Sequence, residues 1–229
     1  MRSNHYRLQF ITHHNDRFSY LDSARLALAG GCRWIQLRMK GVDGQLFEAT
    51  AREVGALCRE YGATFIIDDE VELAKRVGAD GVHLGKEDMP VAEARAILGS
   101  EAIIGATVNS TEDILGHVHG TMPDYFGCGP FRFTTTKRRL APTLGLDGYR
   151  AIMRQMHEAH ISIPLVAIHT RTLRSRKKDP AKTPFKRRRP HRLEPGVDHP
   201  FLGKAAGWRQ SGRKRAPAAG TLHIAQSVR

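Results

Sequence analysis

The chain has 229 residues and a formal net charge of +13, and 41% of its residues are hydrophobic. This length suits one large domain with its own core better than two domains. No run approaches the roughly 18 consecutive apolar residues of a membrane span, and the polar stretch Met1 to Asn15 does not resemble a signal peptide. We therefore expect no membrane partner and a cytoplasmic location.

The excess of positive over negative charge is confined to the C-terminal part of the chain. Residues 169–229 contain 17 Lys and Arg against 3 Asp and Glu, a net charge of +14, whereas residues 1–168 carry −1. Basicity ordinarily suggests a nucleic-acid partner, but here that argument applies to the C-terminal part alone. The three cysteines lack CxxC spacing and stand among apolar neighbours, which indicates buried, reduced thiols.

Residues 1–168 alternate short apolar runs with longer amphipathic stretches, the pattern of repeated βα units on a parallel sheet. The predicted strands are Leu8–Thr12, Trp34–Arg38, Thr64–Asp68, Gly81–Leu84, Ala102–Thr107, Tyr125–Cys128 and Pro164–Ile168. The predicted helices are Tyr20–Ala29, Gln45–Tyr61, Val71–Val77, Val91–Leu98, Thr111–Val118 and Leu146–His160. The absence of hairpin spacing favours an α/β fold of the TIM (β/α)8-barrel type, with an open doubly wound sheet as the alternative. A complete barrel needs roughly 200 residues or more, so we expect an incomplete one that lacks a strand and two helices.

Composition changes abruptly after Ile168. Residues 169–200 have no periodic apolar face and contain the basic run Lys186–Arg189 together with five prolines, which indicates a disordered segment. Only Thr221–Val228 alternates, with Leu222 and Ile224 on one face, and the alternation is so weak that we do not expect it to serve as a substitute strand. The predicted organisation is a barrel domain over residues 1–168 that lacks its last strand, followed by a basic tail over residues 169–229.

Two cations and an amide end the second predicted strand. The period of two places Gln36, Arg38 and Lys40 on one face of this strand, at its carboxyl end. In a barrel that end forms the active site. Arg supplies a planar fork and Lys a point charge, so the trio suits a polyanion such as a pyrophosphate. A solvated strand end is the alternative.

Carboxylates follow the next two predicted strands. Asp68 and Asp69 end the third strand, and Asp88 comes shortly after the fourth. Parallel strands deliver these side chains to one rim, and Mg2+ prefers a few hard oxygen ligands while keeping other positions for water or substrate phosphates. The sequence therefore predicts a metal and pyrophosphate site. The alternative, that acids merely open the following helices, applies best to Glu70 and Glu87.

The sixth predicted strand leads into a loop rich in glycine and threonine. Glycines permit close backbone approach, threonine hydroxyls donate hydrogen bonds and Lys137 adds charge, so the segment from Gly127 to Lys137 is a candidate phosphate loop. A mobile polar loop is the alternative. His83 lies between Val82 and Leu84 and is expected to be a packed or hydrogen-bonded barrel residue rather than a catalyst.

Together and in this order, these segments resemble the thiamine phosphate synthase family over about residues 7–168. Gln36, Arg38 and Lys40 match its QxRxK pattern, Asp68-Asp69 stands at its ND pair, and Thr107 stands where the family usually has serine. Its patterns GxHxGxED and GxGPxxxTxTK are matched by Gly81, His83, Gly85, Glu87 and Asp88, and by Gly127, Gly129, Pro130, Thr134, Thr136 and Lys137.

The resemblance implies a transferase that joins hydroxymethylpyrimidine pyrophosphate to a thiazole phosphate, giving thiamine phosphate and pyrophosphate. It implies Mg2+ as cofactor, held by Asp69 and Asp88. It implies that Arg38, Lys40 and Lys137 act on the pyrophosphate. The other implied substrate contacts are Gln36, Leu37, Met39, Asp68, Thr107, Thr134, Thr135 and Thr136.

Two departures from the family pattern bear on activity. Asp68 replaces an asparagine that would contact the pyrimidine, and an ionised carboxylate accepts hydrogen bonds but cannot donate them. We expect weaker substrate binding unless Asp68 is protonated or helps the metal. After Ile168 the family continues with two glycines and a later strand ending near an Ile-Ser turn, and both segments would bind the thiazole phosphate. Here His169 and Thr170 follow instead, so we expect an incomplete site for the thiazole phosphate and a loss of activity from the changed C-terminal part.

A shift of reading frame near codon 169 would explain why periodicity, family pattern and charge balance change at one point. Translation of the other two frames tests this hypothesis, which fails if neither frame encodes a Gly-Gly-Ile-like continuation. Two further functions remain open at this level: a barrel that isomerises or binds a thiazole phosphate, and a nucleic-acid-binding protein that acts through its basic tail.

Overall fold

The structure, a computed structural model, describes residues 8–131, 143–171 and 222–228. Contacts divide the chain into two units, and every described residue belongs to the first, which comprises Met1–Leu173 and Lys214–Arg229. The second unit, residues 174–213, lies outside the described part. Among the helices that can be described, none is both long and apolar enough to cross a membrane.

Eight parallel strands form a closed barrel in the order β1 to β8. The strands are β1 Leu8–Ile11, β2 Trp34–Leu37, β3 Thr64–Asp68, β4 Gly81–Leu84, β5 Ile103–Val108, β6 Tyr125–Cys128, β7 Leu165–Arg171 and β8 Leu222–Val228. The helices are α1 Tyr20–Ala29, α2 Gly44–Glu60, α3 Val71–Val77, α4 Val91–Leu98, α5 Thr111–Val118 and α6 Gly145–Glu158. The barrel class, the seven predicted strands and the six predicted helices are confirmed, with ends that differ by at most a few residues.

Helix boundaries follow local chemistry. Ser19 and Asp22 form a capping box at the start of α1, and the Asp43 side chain accepts from two backbone amides at the start of α2. Gly78 ends α3 in a left-handed conformation with φ of 65°. These signals are short-range, which explains why the helix positions are readable from the sequence.

An eighth strand closes the barrel, so the prediction that the barrel lacks its last strand is wrong. Leu222–Val228 pairs with β7 from Leu165 to Arg171, and with β1 at Leu8, Gln9 and Phe10. The physical reason is that a seven-stranded sheet would expose unpaired amides and carbonyls on both β1 and β7. A weakly alternating segment satisfies them with its backbone, so it does not need the family's own side chains. The rest of the predicted tail, residues 172–221 and Arg229, lies outside the described residues, and its predicted disorder stays a prediction.

Strand alternation separates two cores. Between strands and helices lies a large apolar layer to which α2 contributes Phe47, Ala51, Val54 and Cys58 at helical spacing. Inside the barrel lies a smaller cluster of Ile11, Trp34, Ile66, Ile103, Tyr125 and Val166. The three cysteines are buried thiols, as expected.

Replacement of Gly105 by alanine is expected to destabilise the barrel. A Cβ at this position would overlap both the Tyr125 and His83 rings inside the barrel, and overpacking of this kind costs about 1–3 kcal/mol. The matched control is Gly116→Ala in α5, where a Cβ meets nothing within 4 Å and alanine is the better helix former. Denaturant unfolding of both variants checks the prediction, which is contradicted if Gly105→Ala is as stable as the parent chain.

Candidate active site

The carboxyl ends of β2 and β3 bring the predicted cations against Asp68. Gln36 Nε2 donates a hydrogen bond to Asp68 Oδ1. Arg38 Nε lies 3.3 Å, and Lys40 Nζ 3.9 Å, from Asp68 Oδ2. Asp68 is buried, whereas about half of the Lys40 side chain is exposed. The predicted juxtaposition of amide, cations and carboxylate at one rim is therefore present.

Asp69 and Asp88 meet at the same rim. Lys40 Nζ forms an ion pair with Asp69 Oδ2, and the Asp69 and Asp88 side chains share a hydrogen bond. Asp88 Oδ2 also accepts from the Gly85 amide at 2.6 Å. Asp69 has a φ of 64°, a conformation that costs a non-glycine residue of order 1 kcal/mol or more and that often marks functional sites.

The electrostatics of this cluster favour added positive charge. Burial raises the pKa of Asp68 above its ordinary value, although Arg38 and Lys40 oppose the shift. Burial also raises the pKa of Asp69, with a further contribution from Asp68, and the pKa of Asp88 is raised by burial and by Asp69. Partial burial alone would lower the pKa of Lys40, but its hydrogen bond to Asp69 and the nearby carboxylates raise it. Three carboxylates thus face two cations.

The residues fit a magnesium ion that a substrate helps to bind. Asp69 and Asp88 offer hard oxygens close enough to share a proton, and a dication in place of that proton would relieve their mutual repulsion. Within the described ranges no group of three or more His, Cys, Asp or Glu side chains is arranged as a metal site. Mg2+ commonly uses one or two carboxylates and completes its shell with water and phosphate oxygens, so two are sufficient.

A cavity of about 300 Å3 opens beside these carboxylates. Lys40, Asp68, Asp69 and Asp88 line it together with Met39 from the strand end. Leu37 is fully buried in the outer core, and Met39 is 5% exposed. The two apolar residues that alternate with Gln36, Arg38 and Lys40 are therefore part of the outer core, and Met39 also borders the cavity.

Thr107 and His83 lie deeper in the barrel. Thr107 is 9% exposed, and its Oγ1 lies 3.0 Å from His83 Nε2. His83 is a buried, hydrogen-bonded residue, which confirms the interpretation of its apolar setting. The predicted phosphate-loop residues Thr134, Thr135, Thr136 and Lys137 lie outside the described residues.

Two buried polar residues were missed by sequence reasoning. Gln9 is 1% exposed and donates from Nε2 to the Tyr125 hydroxyl at 3.0 Å, and that hydroxyl lies 3.1 Å from His83 Nδ1. The signal was present, since Gln9 and Ile11 share one face of an apolar strand and an amide there must find a partner. Its partners, however, come from strands far along the chain.

Fold and site together define an eight-stranded α/β barrel whose carboxyl rim combines cations and carboxylates. Residues 8–176 match the family model described as thiamine monophosphate synthase. This match covers well over half of the chain, and the chain belongs to that family.

Individual relatives agree with the family match. The chain is 61% identical over 166 residues to the thiamine-phosphate synthase of Phocaeicola vulgatus, covering 72% of this chain and 79% of the relative. It is 57% identical over 161 residues to that of Bacteroides fragilis strain ATCC 25285, covering 70% of this chain and 78% of the relative. Among solved structures, thiamine phosphate pyrophosphorylase from Pyrococcus furiosus matches with a TM-score of 0.61 and 38% identity, covering 72% of this chain and 76% of that one.

Proposed function

We propose that this chain is a Mg2+-dependent transferase that joins hydroxymethylpyrimidine pyrophosphate to a thiazole phosphate. One observation carries the proposal: at a single rim of the barrel Gln36 and Arg38 contact Asp68, and Lys40 pairs with Asp69, which shares a hydrogen bond with Asp88. Cations and carboxylates within ion-pairing distance of one another suit a pyrophosphate that is bound together with a metal. Family membership and the relatives' names support the same reaction.

The residues act mainly on the leaving group. Arg38 and Lys40 bind the pyrophosphate and neutralise charge as its C–O bond breaks, so the electron pair leaves with the pyrophosphate oxygen. Asp69 and Asp88 would hold Mg2+, which supplies further positive charge to the phosphate oxygens when bound. The electron-rich aminopyrimidine stabilises the remaining carbocation, and the thiazole nitrogen then forms the new C–N bond. Thr107 contacts the pyrimidine, and positioning of the two substrates contributes the rest.

The second half of the site would occupy the rim at β7 and β8, where (β/α)8 barrels frequently bind phosphate. At this rim Thr170 stands in register with Ser227, and Arg171 with Val228. His169 and Thr170 stand where the family pattern has two glycines, and β8 takes the place of the strand that would end near an Ile-Ser turn. We propose that the thiazole phosphate binds here, together with the predicted loop from Thr134 to Lys137.

A product assay tests the function. The full chain is incubated with both substrates and Mg2+, and thiamine phosphate and pyrophosphate are measured together. We expect equal amounts of the two products, and neither of them when one substrate is omitted or EDTA is present. Pyrophosphate released at the same rate without the thiazole phosphate would contradict the transferase proposal, as would the absence of both products.

Replacement of Asp68 by asparagine is expected to lower the KM for the pyrimidine substrate about tenfold, the effect of about 1.4 kcal/mol of binding. The carboxylate of Asp68 competes with the pyrophosphate for Arg38 and Lys40. An amide ends that competition and can both donate to and accept from the pyrimidine. Steady-state kinetics with the pyrimidine substrate varied check the prediction.

The control for this variant is Asp147→Asn, which makes the same charge change at an exposed residue of α6. We expect its KM to equal that of the parent chain. A KM for Asp68→Asn that stays unchanged or rises would mean that the carboxylate helps to bind the substrate.

A further inference from the structure

Four polar side chains form a hydrogen-bonded chain across the barrel interior. Gln9 Nε2 lies 3.0 Å from the Tyr125 hydroxyl, which lies 3.1 Å from His83 Nδ1, and His83 Nε2 lies 3.0 Å from Thr107 Oγ1. Each of the four is at most 9% exposed. Gln9, Tyr125 and His83 lie below the rim that holds the cations and carboxylates. Of the four residues, only Thr107 has a role in the mechanism above.

The hydrogen-bond donors fix a direction along this chain. The Gln9 amide nitrogen can only donate, so the Tyr125 oxygen accepts there. The Tyr125 proton then needs an acceptor, and the described hydrogen bonds give this hydroxyl one other neighbour, His83 Nδ1. A buried hydroxyl proton without an acceptor would cost about 1–3 kcal/mol. His83 Nδ1 therefore accepts, its ring proton sits on Nε2, and Nε2 donates to Thr107 Oγ1.

Packing holds the two rings in this arrangement. The His83 and Tyr125 rings stack with centroids 5.5 Å apart, and the Trp34 ring meets Tyr125 edge-on at 4.9 Å. Cβ atoms at Gly105 or Gly127 would overlap these rings, so the glycines make the space that the rings fill. The geometry of these four hydrogen-bonded side chains is thus set by close packing as well as by their hydrogen bonds.

We propose that Gln9, Tyr125 and His83 are positioning residues that keep the Thr107 hydroxyl proton available to the substrate. Because Thr107 Oγ1 accepts from His83, its own proton is free to be donated to an acceptor atom of the pyrimidine. The identity of that substrate rests on the proposed function, whereas the direction of the hydrogen-bond chain does not. Thr107 touches the substrate, and the other three act through it.

The test uses the full chain labelled with 15N-histidine. Two-bond 1H–15N spectra distinguish an imidazole protonated on Nε2 from one protonated on Nδ1, and the His83 signals are assigned by their loss in His83→Asn. We expect the Nε2–H form in the parent chain. Tyr125→Phe, which keeps the ring but removes the proton donated to Nδ1, is expected to shift the two nitrogen signals of His83 towards a mixture of tautomers.

Tyr149→Phe is the matched control, because it removes another buried tyrosine hydroxyl that donates to the Cys128 carbonyl at 2.5 Å. We expect it to leave the His83 signals unchanged. A parent chain with His83 protonated on Nδ1, or His83 signals unaffected by Tyr125→Phe, overturns the proposed direction even if the chain has no measurable activity.

The role towards substrate is tested separately by kinetics. Tyr125→Phe is expected to raise the KM for hydroxymethylpyrimidine pyrophosphate about fivefold, the effect of one hydrogen bond, while the KM for the thiazole phosphate stays unchanged. A normal KM together with the expected tautomer shift overturns the positioning role but leaves the proposed function standing. If neither the parent protein nor Tyr125→Phe forms product, the proposed function is overturned instead.

Discussion

Ala225→Pro in β8 is expected to lower the thermal unfolding midpoint by about 6–12 °C, from a loss of about 3 kcal/mol or more. Ala225 stands in register with Gln9 of β1 and Ile168 of β7. Proline at this position removes one ladder amide and fixes φ in the middle of a strand that is paired on both sides. If β8 closes the barrel, two strand edges lose their partner at once.

The matched control is Ala225→Val, which changes the side chain at the same position but keeps the backbone amide and favours a strand. We expect its unfolding midpoint to remain within a few degrees of the parent value. Hydrogen exchange localises the effect, since Ala225→Pro should accelerate exchange in Leu8–Ile11 and Leu165–Arg171 before other strands. Equal midpoints and equal exchange in both variants would contradict the role of Leu222–Val228 as the closing strand.

Asp69→Asn is expected to reduce kcat/KM for the pyrimidine substrate by about 100-fold or more at fixed Mg2+, and higher Mg2+ should restore part of the loss. Asp69 contacts both Lys40 and Asp88. An amide is a neutral and weaker ligand, and it leaves Lys40 without its closest counter-charge. Initial rates measured across a range of Mg2+ concentrations check both parts of the prediction.

Glu72→Gln is the control for this loss. Glu72 is an exposed acidic residue in the first turn of α3, and it does not line the cavity beside Asp69. We expect its Mg2+ dependence to match that of the parent chain. If Asp69→Asn also showed the parent Mg2+ dependence, the assignment of Asp69 as a metal ligand would be wrong.

Local patterns made the fold readable up to Ile168. Short β-branched runs and capped amphipathic helices depend on neighbouring residues, so the elements from Leu8 to Ile168 could be placed by sequence alone. β8 could not be placed in this way, because the alternation in Leu222–Val228 is weak. Its pairing is decided by the open edges of β1 and β7, which are fixed far away in the chain.

The site divides in the same way. The rim cluster of Gln36, Arg38, Lys40 and the carboxylates followed from the period of two and from the rule that parallel strands end at one rim. The hydrogen-bonded series inside the barrel, from Gln9 through Tyr125 and His83 to Thr107, could not be predicted in this way. Its members come from β1, β4, β5 and β6, and only barrel closure brings them together. The pairing of Asp68 with both cations fits the expected juxtaposition at this rim.

Isothermal titration of the full chain with hydroxymethylpyrimidine pyrophosphate tests the central claim most directly, that the rim of β2, β3 and β4 binds a metal and a pyrophosphate together. We predict binding in the presence of Mg2+, no measurable binding in EDTA, and about tenfold weaker binding by Lys40→Ala with Mg2+ present. Binding of equal strength with and without Mg2+, or an unchanged affinity in Lys40→Ala, would contradict the account.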